Sequence, residues 1–152
     1  MADKGAKQMR RVGEPPRRGI TYKARPGAYA ILPLGQRILL TAQLAPQLDI
    51  QLPGGGIDPG ESPLQALHRE VREETGWRIA APRRLGAFKR VVYMPEYDLW
   101  AEKICHIYVA RPTWQIAEPI EPDHQTLVLS RHEAITLLGN DGDRMFLREF
   151  TA

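Results

Sequence analysis

Three carboxylates, Glu70, Glu73 and Glu74, fall at spacing i, i+3 and i+4 in the run Arg69-Glu70-Val71-Arg72-Glu73-Glu74. Residues so spaced share one side of an α-helix. Like charges that close repel, and the face has no basic partner built into it, so the pattern expects a cation among the three. Donors that are all oxygen suit a hard divalent ion, Mg²⁺ or Mn²⁺, rather than zinc. The chemistry such an ion supports is phosphoryl or pyrophosphoryl transfer, which needs neutralised phosphate oxygens and an aligned water. Just upstream, Gly54-Gly55-Gly56 permits a close backbone approach.

The helix that carries the carboxylates has both ends written in the sequence. Ser62 is the N-cap, Pro63 the first helical residue, and Gln65 completes a capping box. Gly76 stands where a left-handed residue ends a helix. Leu64, Leu67 and Val71 form the apolar stripe. At about 100° per residue, Glu74 falls beside that stripe and Glu73 points furthest from it, so Glu74 is expected to be the most buried of the three.

The segment from Gly55 to Trp77 resembles the signature of the Nudix hydrolases: glycine, five residues, glutamate, seven residues, then Arg-Glu, an apolar residue, any residue, Glu-Glu, any residue, glycine and a bulky apolar residue. Every fixed position is matched over these 23 of 152 residues. Trp77 is aromatic where an aliphatic residue is usual. The resemblance implies an α/β fold, an α/β/α sandwich around a central mixed β-sheet. It also implies metal-dependent hydrolysis of a nucleoside diphosphate linked to another group. By the same resemblance Glu70, Glu73 and Glu74 are metal ligands, with the Gly54 carbonyl as a further one, and the metal is Mg²⁺ or Mn²⁺. Glu61 and Arg69 are implied to hold helix and loop in register. A late-loop carboxylate is implied as base or extra ligand, with Glu121 and Asp123 preferred over Glu118 and His124. Tyr93 lies at a distance where some relatives place a substrate-binding tyrosine. Tyr93 and Trp100 are therefore the candidates for stacking on a base, worth about 1–3 kcal/mol per stack.

The remaining elements follow from pattern. Ala28-Tyr29-Ala30-Ile31-Leu32 and Arg37-Ile38-Leu39-Leu40-Thr41 flank Gly35-Gln36 as a hairpin. Asp49 to Leu52 is a short strand that delivers the glycine turn. Residues 85–93 and 99–110 read as strands around Pro95-Glu96-Tyr97-Asp98, with 104–109 central, and Cys105 and His106 as core residues. A long loop is expected over 112–124, then a strand over 125–129. Ser130 caps a helix running to Leu138, and Arg144 to Phe150 is a last short helix. His68 reads as exposed. Asp141 and Asp143 read as turn and cap residues.

A hydrophobic share of 43% and a charged share of 26% are those of an ordinary globular protein, and the length suits one domain. The single cysteine rules out an intrachain disulfide and, with no signal-like segment and no apolar stretch near 20 residues, points to the cytoplasm. The net charge of +3 is concentrated: residues 1–18 carry six basic and two acidic residues, leaving −1 for the rest. Rich in Gly and Pro and poor in apolar side chains, residues 1–18 are expected to be a disordered basic tail ahead of a Nudix domain over 19–152, and dispensable for stability. The expected partner is a small nucleotide-type substrate, with no membrane contact and with a homodimer open. An RNA 5′-end pyrophosphohydrolase is the alternative that a basic tail favours. A nucleotide sensor without catalysis would have lost carboxylates, and here none is missing.

Overall fold

The computed structural model describes residues 9–150. Eight strands and three helices follow in the order β1 (Arg10–Arg11), β2 (Lys23–Leu34), β3 (Arg37–Gln43), β4 (Asp49–Gln51), β5 (Gly54–Gly56), α1 (Pro63–Thr75), β6 (Trp77–Met94), β7 (Leu99–Gln115), β8 (His124–Ser130), α2 (Arg131–Leu137) and α3 (Asp141–Glu149). The strands lie in the order β1-β6-β7-β2-β3-β4, with β5 also pairing β2 and β8 also pairing β3. Pairings β1–β6 and β7–β2 are parallel and the others antiparallel, so the sheet is mixed.

Strand β2 organises the molecule. Its side chains alternate between faces. Ala28, Ala30 and Leu32 join Leu67 and Val71 of α1 in one buried cluster, together with Leu39, Ile79 and Tyr108. Ile31 points the other way, into a cluster with Phe88, Cys105, Ile107, Ala134, Leu138 and Leu147, which α2 and α3 cover. The two faces are the two interfaces of an α/β/α sandwich, as expected. The expected hairpin is β2–β3, closed at Leu34 and Arg37 with Gly35 at φ 61°. Strand β7 is central, flanked by β6 and β2.

Several boundaries differ from expectation. Strands β6 and β7 run well past the anticipated ends, because bulges near Arg78, Ala81-Pro82 and Leu85 absorb the residues that read as breaks. Part of the expected 112–124 loop is thus the end of β7. The glycine turn is itself a strand, Gly55 pairing Ala28 and Gly56 pairing Gly27. Helix α3 starts at Asp141, capped by Asn140, whose side chain accepts from the Asp143 N–H at 2.8 Å. The boundary expected at residue 18 does not coincide with the fold. Arg10 and Arg11 pair with Phe88 and Lys89, the Val12 N–H donates to the Lys89 carbonyl at 2.9 Å, and Val12 packs against the second cluster. The exposed edge of β6 supplies what the local composition lacks: main-chain partners. Residues 1–8 of the expected tail lie outside the described residues.

Candidate active site

Helix α1 is fastened at both ends as the sequence requires. Ser62 and Gln65 exchange their capping-box bonds, and Gly76 adopts φ 75°. The β7–β8 loop closes over the helix C-terminus: the Ile116 N–H donates to the Gly76 carbonyl, and the Ile120 N–H donates to the Glu73 carbonyl, both at 2.8 Å. This docking brings Glu121 to the carboxylate face.

Glu74 is the most buried of the three, at 6% exposure, and its Oε2 accepts the Gly54 N–H at 3.0 Å. Burial, and then the fields of Glu70, Glu121 and Glu73, push its carboxyl well above the usual range against that one bond. Glu70 stands under Gly55, so close that a Cβ there would lie 2.5 Å from its carboxyl carbon. Burial also raises the Glu70 carboxyl, and Glu73 and Glu121 add to the rise. Gly54 itself, at φ 148°, admits no side chain, since a Cβ would lie 2.1 Å from the Ala28 carbonyl oxygen.

The expectation of a glutamate face without a basic partner is corrected by Arg69. Its guanidinium donates to Glu61 at 2.7 and 2.9 Å, to Glu70 at 2.9 Å, to Glu73 at 3.2 Å and to the Gly56 carbonyl at 3.0 Å. The long side chain crosses to residues one and four positions on, which a count of charges along one face does not register. Arg69 ties α1 to the end of the glycine strand and holds the Glu61 carboxyl down at about 2.

Asp123 and Glu121 part company. The field of Glu121 reaches Glu70 and Glu74, whereas Asp123 acts on His124 and its carbonyl accepts the Leu44 N–H. His124 gained less weight in the sequence than it has in the fold. Its Nδ1 lies 2.9 Å from the buried Thr41 hydroxyl and 3.9 Å from Glu74 Oε1. Burial lowers its pKa, so at neutral pH it faces Glu74 as a neutral imidazole and not as an ion-pair partner. A histidine opening a strand beside a buried threonine was the only available signal.

Tyr93 and Trp100 are not brought to the carboxylates. Trp100 lies five residues along β7 from Cys105, the row of Gly27 and Gly56, or about 16 Å. Its ring packs on Tyr93 at 5.2 Å and on Tyr22 at 5.9 Å, with the Arg17 guanidinium 5.6 Å above it. The Tyr93 hydroxyl bonds Asp98.

The donor types fit a hard cation, since Glu70, Glu73, Glu74, Glu121 and the Gly54 carbonyl offer only oxygen, and two of the carboxylates are desolvated without a full counter-charge. Among the described residues, no three such side chains converge as a ready-made cation shell. Glu70 and Glu73 turn to Arg69, and Glu74 turns to Gly54.

The NUDIX domain model matches residues 23–150. The chain belongs to the Nudix family. Among relatives of this Nudix chain, a Bacillus subtilis (strain 168) protein with the provisional name 8-oxo-dGTP diphosphatase is 41% identical over 76 residues, 49% of this chain and 50% of that protein. An RNA pyrophosphohydrolase of Bartonella bacilliformis is 36% identical over 76 residues, 49% of this chain and 42% of that protein. The chain thus spans about half the length of the curated relatives it matches. Among solved structures, a NUDIX hydrolase from Nitrosomonas europaea superposes with TM-score 0.67 at 18% identity, covering 84% of this chain and 87% of that one. A MutT NUDIX hydrolase from Burkholderia pseudomallei gives 0.66 at 23% identity, covering 85% and 99%. At these identities the likeness is one of fold. Among the described residues no helix is long and apolar enough to cross a membrane.

Proposed function

We propose that this Nudix chain hydrolyses a phosphoanhydride of a nucleotide-type substrate in the cytoplasm, with Mg²⁺ or Mn²⁺ held by Glu70, Glu73 and Glu74 and the Gly54 carbonyl. The observation that carries the reading is the desolvated pair Glu70 and Glu74, set against the glycine strand with the field of Glu121 on both. Carboxylates kept at that cost are typical of sites built for chemistry. When bound, the metal neutralises phosphate oxygens and lowers the pKa of a bound water.

The chain's own residues do the rest. Arg69 and Glu61 clamp α1 to Gly56, so the carboxylates keep their register with the glycine strand. Gly55, having no side chain, leaves the room in which the Glu70 carboxyl lies against the glycine strand. Glu121 is the candidate general base, delivered by a loop anchored on the backbone of Glu73. His124, steadied by Thr41, is a positioning residue for Glu74. Water attacks phosphorus, and the products are a nucleoside monophosphate or a shortened polyphosphate. The intact set of carboxylates argues for catalysis over mere sensing. Activity on RNA 5′ ends is the second reading; the name of the Bartonella relative, and of a Helicobacter pylori (strain G27) relative 57% identical over 37 residues, favours it.

Incubation with Mg²⁺ or Mn²⁺ in ¹⁸O-labelled water, against a nucleotide panel that includes 5′-triphosphorylated RNA, tests both readings. Label is expected in a phosphate-bearing product. Label on a carbon-bound hydroxyl, or no turnover of any member with either metal, overturns the proposal.

A further inference from the structure

The outer strands of the sheet are not equally guarded. Strand β4 is three residues long, and Ile50 is bridged to Leu138 at the end of α2, its carbonyl accepting the Gly139 N–H at 2.8 Å. Strand β6, where β1 does not cover it, carries bulges near Arg78, Ala81-Pro82 and Leu85, the proline itself, and exposed Arg78, Arg83 and Arg84. Bulges, proline and charge on an edge strand all deter pairing with another chain. Strand β8 has none of these. It runs seven residues in unbroken antiparallel register with β3. Among the described residues its main chain pairs with β3 alone, so every second residue turns its N–H and C=O to the open side.

The side chains along this edge suit a copy of the same strand. His124 to Ser130 contains no Asp, Glu, Lys or Arg, and Val128 is 38% exposed. Asp123 and Arg131 stand just outside the two ends, both exposed. Neither sits in an ion pair among the described residues. The Arg131 guanidinium is held in place by the Leu147 and Arg148 carbonyls at 3.1 and 2.9 Å. Opposed residues of an antiparallel pair share a face, so a two-fold axis between two copies must centre on one residue. Centred on Leu127, it sets Thr126 opposite Val128, Gln125 opposite Leu129, and Asp123 opposite Arg131 of the second copy. Centring on Thr126 sets Asp123 opposite Leu129, and centring on Val128 sets it toward Glu133, a like charge. Charge therefore selects the axis at Leu127.

We propose that β8 is a homodimer interface, at which two copies of this chain join edge to edge in antiparallel register about Leu127 and continue the sheet across the pair. Each copy gains main-chain partners for its open edge, Thr126 and Val128 cover one another, and two Asp123–Arg131 pairs close the ends. The loop that carries Glu121 ends at Asp123, so the second copy also fastens the segment that reaches the carboxylate face. The interface stands apart from the hydrolase reading and does not need it.

The test is sedimentation of the full chain over a concentration series, with amide hydrogen exchange at both ends of the series. A dimer is expected, with exchange in β8 slowing as it forms. V128K brings like charges beside the axis and should raise the dimer dissociation constant about tenfold or more, since the substitution enters twice. D123K sets lysine against Arg131 and should also weaken the dimer, whereas V128T, neutral and β-branched, should keep it. A monomer at every concentration overturns the proposal. So does a dimer that V128K and D123K leave as tight as the wild type, or one whose β8 amides exchange as fast as in the monomer. None of these readouts needs turnover, so a failed interface and a failed hydrolase reading give different results.

Discussion

Glu74 and Glu61 carry the same carboxyl group into opposite fields, and stability should register the difference. The Glu74 carboxyl is raised by burial and by its acidic neighbours. A group raised in the folded state contributes its stability below the ordinary value of 4.5 and loses it as pH rises through the folded value. Without divalent ions, E74Q should therefore melt at or above the wild type at pH 8, and the difference should shrink as pH falls toward 4.5. Glutamine keeps an oxygen for the Gly54 N–H, so the bond itself is retained. Glu61 runs the other way. Arg69 holds it at about 2, so its contribution is present above 4.5 and is lost as pH falls toward 2. E61Q should melt below the wild type at neutral pH, with the gap closing through that acid window. Melting curves of the three proteins across pH decide both; a gap of constant size for either variant refutes its field argument. On activity, E73Q and E74Q each remove a charged oxygen from the carboxylate face and should cost about 100-fold in Mg²⁺-dependent turnover while staying folded. Near-normal rates in both would remove the metal assignment.

At the scale of elements, the glycine strand and α1 act as one unit, and two neighbouring glycines test it in different ways. At Gly55 an added methyl meets the end of the flexible Glu70 side chain. Gly55→Ala should displace that carboxylate by ångströms and not the fold, at a cost of about 100-fold in turnover with little change in melting. At Gly54 the obstacle is the Ala28 backbone and the angle is unfavourable, so Gly54→Ala should destabilise the fold itself, by about 1–3 kcal/mol or more. Parallel assays of rate and melting separate the two, and equal melting losses would contradict the distinction. These elements were legible because their signals are local: Ser62 with Gln65, Gly76, and Gly35 each declare a cap or a turn within four residues. The ends of β6 and β7 were not, because bulges at Ala81-Pro82 and Leu85 convert apparent breaks into continuing strand. Helix α3 began early because Asp141-Gly142, read as a turn, sits in the first helical turn behind the Asn140 cap. The choice of Glu121 over Asp123 depended on how the loop docks on the Glu73 carbonyl, a contact across 48 positions that no local pattern encodes.

Across the whole molecule, the same limit explains the N-terminal strand. Arg10 and Arg11 read as tail because residues 1–18 as a whole are rich in Gly, Pro and basic residues, yet their partners lie at Phe88 and Lys89. Once docked, the segment does more than extend the sheet. Arg11 pairs with Glu102 at 3.0 Å, and Arg17 lies over Trp100. Val12 adds apolar cover to the cluster that holds Phe88 and Leu147. Trp100, first read as a base-stacking residue, is thereby part of how the N-terminal segment is held, packed between Tyr22, Tyr93 and Arg17. A chain beginning at Gly19 should consequently lose stability, which reverses the expectation drawn from composition. Covering a half-buried valine is worth about 1 kcal/mol, and the strand bonds and the Arg11 pair add a similar amount. At about 2–4 °C per kcal/mol for a chain of this size, the melting temperature should fall by roughly 4–8 °C. Val12→Ala alone should account for about 2–4 °C of that. Hydrolysis of small nucleotides should continue below the new melting point, since no residue of 10–18 bonds the carboxylate face. Melting unchanged to within about 1 °C would show that the strand is carried by the sheet without supporting it.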